Sequence, residues 1–261
     1  MDRLMKFGQL EGCTDMALGS RVWHRSGKLT FIPEVDAASH SKFPDRYRWA
    51  SQWVGSLQGL RVADVGCWTG SFLEHLASAD RSVELVGIDL SGPWLEEAMA
   101  LHPDMEFVPV ESLVLPLKGQ LIRFDTVFFL ETLEHLPLGS ESQVLKNLAG
   151  LLAPGGELIL STPVMGFAAI TDPAWLLVGH RHYTYGRLTK LCAQAGLEIN
   201  EVAYSGNLWS IIDSHLMYIF KHVLHRTRHG SGRLQERADT GLYNHRRFTT
   251  NNVWIRAFPV G

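Results

Sequence analysis

The densest chemistry in the sequence lies in one short stretch, LETLEHL, which carries Glu131, Glu134 and His135. On a helix, positions i, i+3 and i+4 share a face, so two carboxylates and an imidazole would converge there. Such a set offers oxygen and nitrogen ligands to a hard divalent cation such as Mg²⁺ or Mn²⁺. It equally offers metal-free acid–base groups. Unit charges ~4 Å apart repel by about 4 kcal/mol at an effective dielectric of 20, so the two carboxylates need a cation or an imidazolium between them. His180 and His182, in GHRHYTY, are candidates to complete the cluster. Three readings stand open: a metal on Glu131, Glu134, His135 and His182; metal-free catalysis by His135 with Glu134 and His182; or a structural role. His182 and Tyr183 line a pocket in one reading and form a surface turn in the other.

A second constellation precedes it. Asp64-Val65-Gly66-Cys67-Trp68-Thr69-Gly70 follows an apolar run, and VGIDLS brings Asp89 nineteen residues beyond Gly70. Glycine at 66 permits a tight turn, and glycine at 70 permits close backbone approach to a ligand. A carboxylate at Asp89 can accept hydrogen bonds from both hydroxyls of a ribose. A dinucleotide loop would read Gly-x-Gly-x-x-Gly, with a helix N-terminus on the pyrophosphate. Here Trp68 replaces the second glycine, the third is absent too, and Asp64 would repel a pyrophosphate. S-adenosylmethionine has no phosphate and carries a sulfonium and an ammonium, which suits Asp64. A tight turn that holds no ligand is the remaining alternative.

The elements that must position these groups alternate from residue 60 onward. LRVADVG, Val83–Asp89, Met105–Val110, Phe124–Leu130 and ELILSTP read as buried strands. Between them Ser71–Ala79, Pro93–Leu101 and Glu141–Leu152 read as helices, and Gly155-Gly156 turns the chain into the fifth strand. Tyr185–Ala195 is a helix stopped by Gly196, followed by strands at Leu197–Tyr204 and Asn252–Phe258. Strands this apolar, alternating with helices, predict a mostly parallel sheet covered on both faces. Ligands then sit beyond the carboxyl ends of the strands, where strand order reverses. Residues 1–59 show little periodicity apart from a helix over Pro44–Leu57.

Read together, these motifs resemble class I S-adenosylmethionine-dependent methyltransferases. DVGCWTGSF resembles the family's first motif and VGIDLS its ribose-binding acid. FDTVFFLETLEHL and LAGLLAPGGELILSTP resemble the fourth- and fifth-strand motifs, and GHRHYTYGRLTKLCAQAGLEI is similar to the ubiquinone-biosynthesis-type O-methyltransferase branch. The resemblance covers about residues 46–206. It implies a Rossmann-like α/β fold, a mostly parallel seven-stranded sheet with helices on both faces. It also implies a cofactor site of Tyr47, Asp64, Gly66, Cys67, Gly70, Asp89, Leu90, Glu111, Ser112 and Leu130. Trp68 departs from the family's middle glycine, so its indole must pack outward or over the cofactor edge. Glu111 stands where the adenine-binding acid is usually Asp. Tyr47 would cover the methionine end of the cofactor, or else be a core aromatic. The Glu131-Glu134-His135 pattern resembles the Glu-x-x-Glu-His metal site of small-RNA 2'-O-methyltransferases and of metal-dependent ubiquinone-type enzymes.

Domain organisation follows. Residues 1–59 form a helical and irregular N-terminal cap, and 60–206 the cofactor-binding core. Residues 207–251 are an amphipathic helix with a basic insertion, and 252–261 the last core strand. Within 221–247, seven Lys/Arg face only Glu236 and Asp239, against a whole-chain charge of -3. An apolar helix followed by basic residues (208–247) suits peripheral contact with an anionic membrane or a lipid-linked substrate. The plainer reading, and the favoured one, is a cover for the acceptor pocket or a homodimer partner. The acidic total disfavours nucleic acid. Three scattered cysteines and no secretion signal suggest a cytoplasmic protein. The expected activity is O-methylation of a small-molecule or lipid-/glycan-linked hydroxyl. RNA methylation and a cofactor-binding scaffold without turnover are the alternatives.

Overall fold

The computed structural model describes residues 19–23, 29–33, 45–114, 123–166, 169, 179–206, 252–260 and scattered positions between 209 and 224. Strands β1 (Gly19–Trp23) and β2 (Leu29–Pro33) pair antiparallel, a feature the sequence reading did not anticipate. Helix α1 (Asp45–Val54) leads into β3 (Arg61–Val65), α2 (Ser71–Ala79), β4 (Glu84–Leu90), α3 (Pro93–Leu101) and β5 (Glu106–Val110). The second half comprises β6 (Phe124–Leu130), α4 (Glu141–Ala149), β7 (Leu152–Pro163), α5 (Tyr185–Gln194), β8 (Leu197–Ser205) and β9 (Asn252–Pro259).

Seven strands form one sheet in the order β5-β4-β3-β6-β7-β9-β8. The first five run parallel, and β9 lies antiparallel to both β7 and β8. Burial follows this order. The central β3 and β6 (RVADV, FDTVFFL) are buried almost throughout, which is why their sequences are mainly apolar. Edge strands β5 and β8 keep exposed positions. Phe124, Phe128, Phe129, Leu158, Leu160 and Trp254 are fully buried at the centre. The helix at Glu141 ends three residues before the expected Leu152, because β7 already begins there. Gly155-Gly156 therefore lies inside β7, at an irregularity in its pairing with β6.

Strand order reverses at β3: β4 and β5 lie on one side, β6 and β7 on the other. That reversal opens a crevice beyond the carboxyl end of β3. The loops after β3, β4 and β6 border it, and those are the loops that carry the chemistry-bearing residues.

Candidate active site

The turn after β3 is held on the sheet by the Gly66 N–H, which donates to the Ile88 carbonyl at 2.7 Å. Gly66 has φ 81°, and a Cβ there would lie 2.4 Å from Thr132 Oγ1. The β3 and β6 loops thus meet at this point, and glycine is needed for contact between loops. Gly70 also has a left-handed φ of 77°. The space beside its Cα is filled by the His102 and Phe107 rings, each 3.0 Å from where a Cβ would sit. Backbone conformation and packing against the end of α3 and β5 thus call for glycine at this position.

Asp64, at the end of β3, is buried. Burial raises its carboxyl to about 8, and the nearby Asp89 charge adds to the shift. Among the described residues nothing donates a hydrogen bond to it. Asp89 is held differently: its two oxygens accept from the backbone N–H groups of Trp68 and Leu90, both at 2.6 Å. Burial raises Asp89 as well, against the pull of those two N–H groups. Each oxygen keeps a further lone pair for a ligand hydroxyl. A crevice with two acids side by side repels a pyrophosphate and attracts a cation. A ligand carrying positive charge next to a ribose fits both acids at once.

Trp68 takes the place of a glycine and adopts a left-handed φ of 50°. Its indole packs on Trp94, the second residue of α3, with ring centroids 5.3 Å apart. Leu90, beside Asp89, is partly exposed. Glu111 is exposed, and Ser112 accepts from the Val114 N–H, both just past β5. Cys67 is buried, and burial pushes its thiol far up, so it is inert. Tyr47 packs on Phe72 at 5.0 Å and lies near His75 in the layer between α1 and α2, the surroundings of a core aromatic.

The loop after β6 departs from expectation. Glu131 has φ 50° and lies outside any helix, and Leu133–His135 is a single 3₁₀ turn. The shared helical face of Glu131, Glu134 and His135 is therefore not formed. A strand end, a left-handed residue and one tight turn fit between Leu130 and Pro137, leaving no room for two α-helical turns. The two carboxylates point to neighbouring positions of β7. Glu131 Oε1 accepts from Ser161 Oγ at 2.6 Å, and Glu134 Oε2 from the buried Thr162 Oγ1 at 3.0 Å. Burial, then the Glu131 charge, raises the Glu134 carboxyl well above its ordinary range.

Arg181, which the sequence reading passed over, organises this side. Its guanidinium donates to the carbonyls of Leu133 (3.0 Å), Glu134 (3.2 Å) and Leu136, and pairs with Glu141 at 2.7 Å. Tyr183 is buried, and its hydroxyl donates to the Leu133 carbonyl and to Glu141. Tyr183 thus fastens the loop and is not a surface turn. Backbone bonds from Tyr183 N–H to Pro163 and from Met165 N–H to the Tyr183 carbonyl hold this segment beside the end of β7. One signal was present: Glu141 falls on the apolar face of α4 with Val144, Leu145 and Leu148, where an acid needs a partner.

His135 is edge-on to His180, with centroids 4.6 Å apart. Burial, with His180 and Arg181 nearby, lowers the His135 imidazole to about 3. It stays neutral, so it is not the imidazolium expected between the two acids. Its Nδ1 is buried without a hydrogen-bond partner among the described residues. His182 lies on the same segment as His180, half-buried. Among the described residues no group of three or more His, Cys, Asp or Glu is placed to hold a metal ion. The Ser161 and Thr162 bonds direct the two carboxylates to separate partners, so this donor set does not fit a divalent cation.

Most of 207–251 lies outside the described residues, and with it the membrane and dimer readings of 208–247. The described residues contain no helix long and apolar enough to cross a membrane.

Residues 63–158 match a family model described as a methyltransferase domain. Over 200 residues the chain is 36% identical to a ubiquinone biosynthesis O-methyltransferase of Bordetella bronchiseptica, covering 70% of this chain and 77% of that protein. It is also 36% identical over 152 residues to the protein of that name from Bordetella avium, which covers 56% of this chain and 57% of that protein. A crystal structure of a TehB-like SAM-dependent methyltransferase from Corynebacterium glutamicum superposes with a TM-score of 0.54 at 14% identity. That match covers 85% of this chain and 91% of the other. At such identity the likeness is one of fold.

Proposed function

Since the chain belongs to the family of S-adenosylmethionine-dependent methyltransferases, we propose that it methylates a hydroxyl oxygen of a small acceptor, of phenol or catechol type. The observation that carries the cofactor half is Asp64, a buried carboxyl with no hydrogen-bond donor among the described residues, beside Asp89. A cationic ligand relieves that arrangement, and Asp89 is already oriented for ribose hydroxyls. When bound, S-adenosylmethionine supplies an electrophilic methyl group on a sulfonium.

On the acceptor side, Arg181, Ser161 and Thr162 fix the Glu131–Leu136 loop. His135 presents a neutral imidazole with an open Nδ1. It accepts a hydrogen bond from the acceptor hydroxyl and aims the oxygen lone pair, a gain in orientation. An imidazole so hard to protonate does not keep the proton. The proton leaves to solvent, and Glu134, held on Thr162 Oγ1, keeps the shape of the loop. This arrangement favours a hydroxyl with a pKa near 10, as in a phenol, over an aliphatic alcohol. His182 lines the same segment. No step passes through a metal.

The test is a transfer assay with methyl-labelled S-adenosylmethionine across catechols, simple phenols, polyprenyl-linked sugars, free glycans and RNA. Label is expected on phenolic oxygen. Label on RNA alone, or cofactor binding with no transfer to any class, contradicts the proposal.

A further inference from the structure

The aromatic pair Trp68–Trp94 has no role in the chemistry above, yet it joins the loop after β3 to the start of α3, the segments on either side of Asp89. Trp68 occupies a position whose φ of 50° suits glycine. A bulky residue held in that region is strained. Such a residue lies at the crevice by virtue of its neighbours. Its backbone N–H fixes one oxygen of Asp89, and its ring meets Trp94 at the start of the helix that follows Asp89. Both indoles are only partly buried, and the partly exposed Leu90 lies between their segments in sequence. The loop that holds Asp89 and the helix that follows it thus carry two aromatic rings in mutual contact, with Leu90 next to the acid in the chain. Such a surface suits a flat heteroaromatic base, because stacking needs only a π-face.

We propose that Trp68 and Trp94 form a wall that binds the adenosine half of the cofactor. This rests on the S-adenosylmethionine reading and deepens it. Recognition is then divided along the crevice. The aromatic wall reads the nucleoside, which the methylated and demethylated cofactors share. Asp64 reads the positive charge, which is larger before transfer than after it.

The division gives the experiment. Trp68→Gly keeps the backbone N–H that binds Asp89 and relieves the strained φ, so it removes only the ring. Trp94→Ala removes the other ring. Calorimetry with adenosine, S-adenosylhomocysteine and S-adenosylmethionine is expected to show each ligand weakened about tenfold, and by the same factor, in both variants. Trp68→Gly should melt no lower than the parent chain. Affinities equal to those of the parent in both folded variants overturn the wall. Should Trp94→Ala fail to fold, Trp94→Phe with Trp68→Phe and tryptophan emission decides. Quenching by S-adenosylhomocysteine in the parent should shrink in Trp68→Phe, and unchanged quenching overturns the wall. A parent chain that binds adenosine but neither methionine-bearing ligand leaves the wall standing and refutes the function proposed above. One that binds none of the three refutes both.

Discussion

The cofactor crevice and the acceptor-side loop lie at the same sheet edge, and both contain buried acids, but the acids are treated in opposite ways. Around β7, every carboxylate has its partner inside the protein: Glu131 on Ser161, Glu134 on Thr162, Glu141 on Arg181 and Tyr183. At the end of β3, Asp64 has none among the described residues, and its only close charge is another acid. A buried charge left without a partner costs several kcal/mol unless its pKa shifts. Asp64 is therefore held at a cost that the fold itself does not recover, as expected for a group that pairs with a ligand. The satisfied acids of the other loop hold a shape, and within that shape His135 Nδ1 is buried without a hydrogen-bond partner among the described residues.

Arg181→Ala should give the largest effect. It leaves Glu141 buried without its cation and frees three carbonyls, a loss of about 3–5 kcal/mol of stability. Urea denaturation measures this. Adenosine affinity should change little in the molecules that remain folded, since the crevice is built elsewhere. A near-parental midpoint would break the comparison, because it would mean the acceptor-side acids are not structurally committed.

Gly70→Val comes next. The left-handed φ and the crowding by His102 and Phe107 predict a loss of roughly 1–3 kcal/mol from strain and overpacking. Thermal melting should fall together with binding. Lost binding at an unchanged melting temperature would instead show that Gly70 serves ligand approach.

The smallest effect, none, is expected from EDTA. Glu131 and Glu134 are directed to β7 hydroxyls, so chelation should change neither cofactor affinity nor transfer rate. Restoration of lost activity by Mg²⁺ would show that these acids regroup around a metal.

The sheet and the cofactor crevice were legible in the sequence because local signals set them. Mainly apolar strands such as VADV and FFL, turn glycines and the spacing from Gly70 to Asp89 each act within a few residues. The acceptor loop was not legible to the same depth. Its shape depends on Arg181 and Tyr183 reaching back about 45–50 positions to Leu133 and Leu136, a tertiary bond that no local period reveals. Reading Glu131, Glu134 and His135 as one helical face failed for that reason. The β1–β2 pair was missed as well, since five-residue strands in an irregular segment carry too short a pattern.

The central claim is that Asp64 is the acidic half of a charge pair completed by the cofactor. Its carboxyl lies at about 8, above the ordinary 3.8, so the folded chain holds a proton that the unfolded chain has released. The stability contributed by this group is present below about pH 4 and is lost as pH rises to about 8, the reverse of a salt-bridged carboxylate. A bound cation favours the ionised form, so cofactor affinity should rise across that window as binding expels the proton. Calorimetric titration of S-adenosylmethionine from pH 6 to pH 8.5, in buffers of different ionisation enthalpy, reads the affinity and the proton together. The parent chain should bind more tightly as pH rises, releasing a proton near pH 7. Asp64→Asn should melt higher, bind about tenfold or more weakly and lose that proton release, consistent with removal of a charge-assisted contact. Its difference from the parent cancels the ligand's own titration. Equal affinities for parent and variant, with the same proton release, would contradict the account.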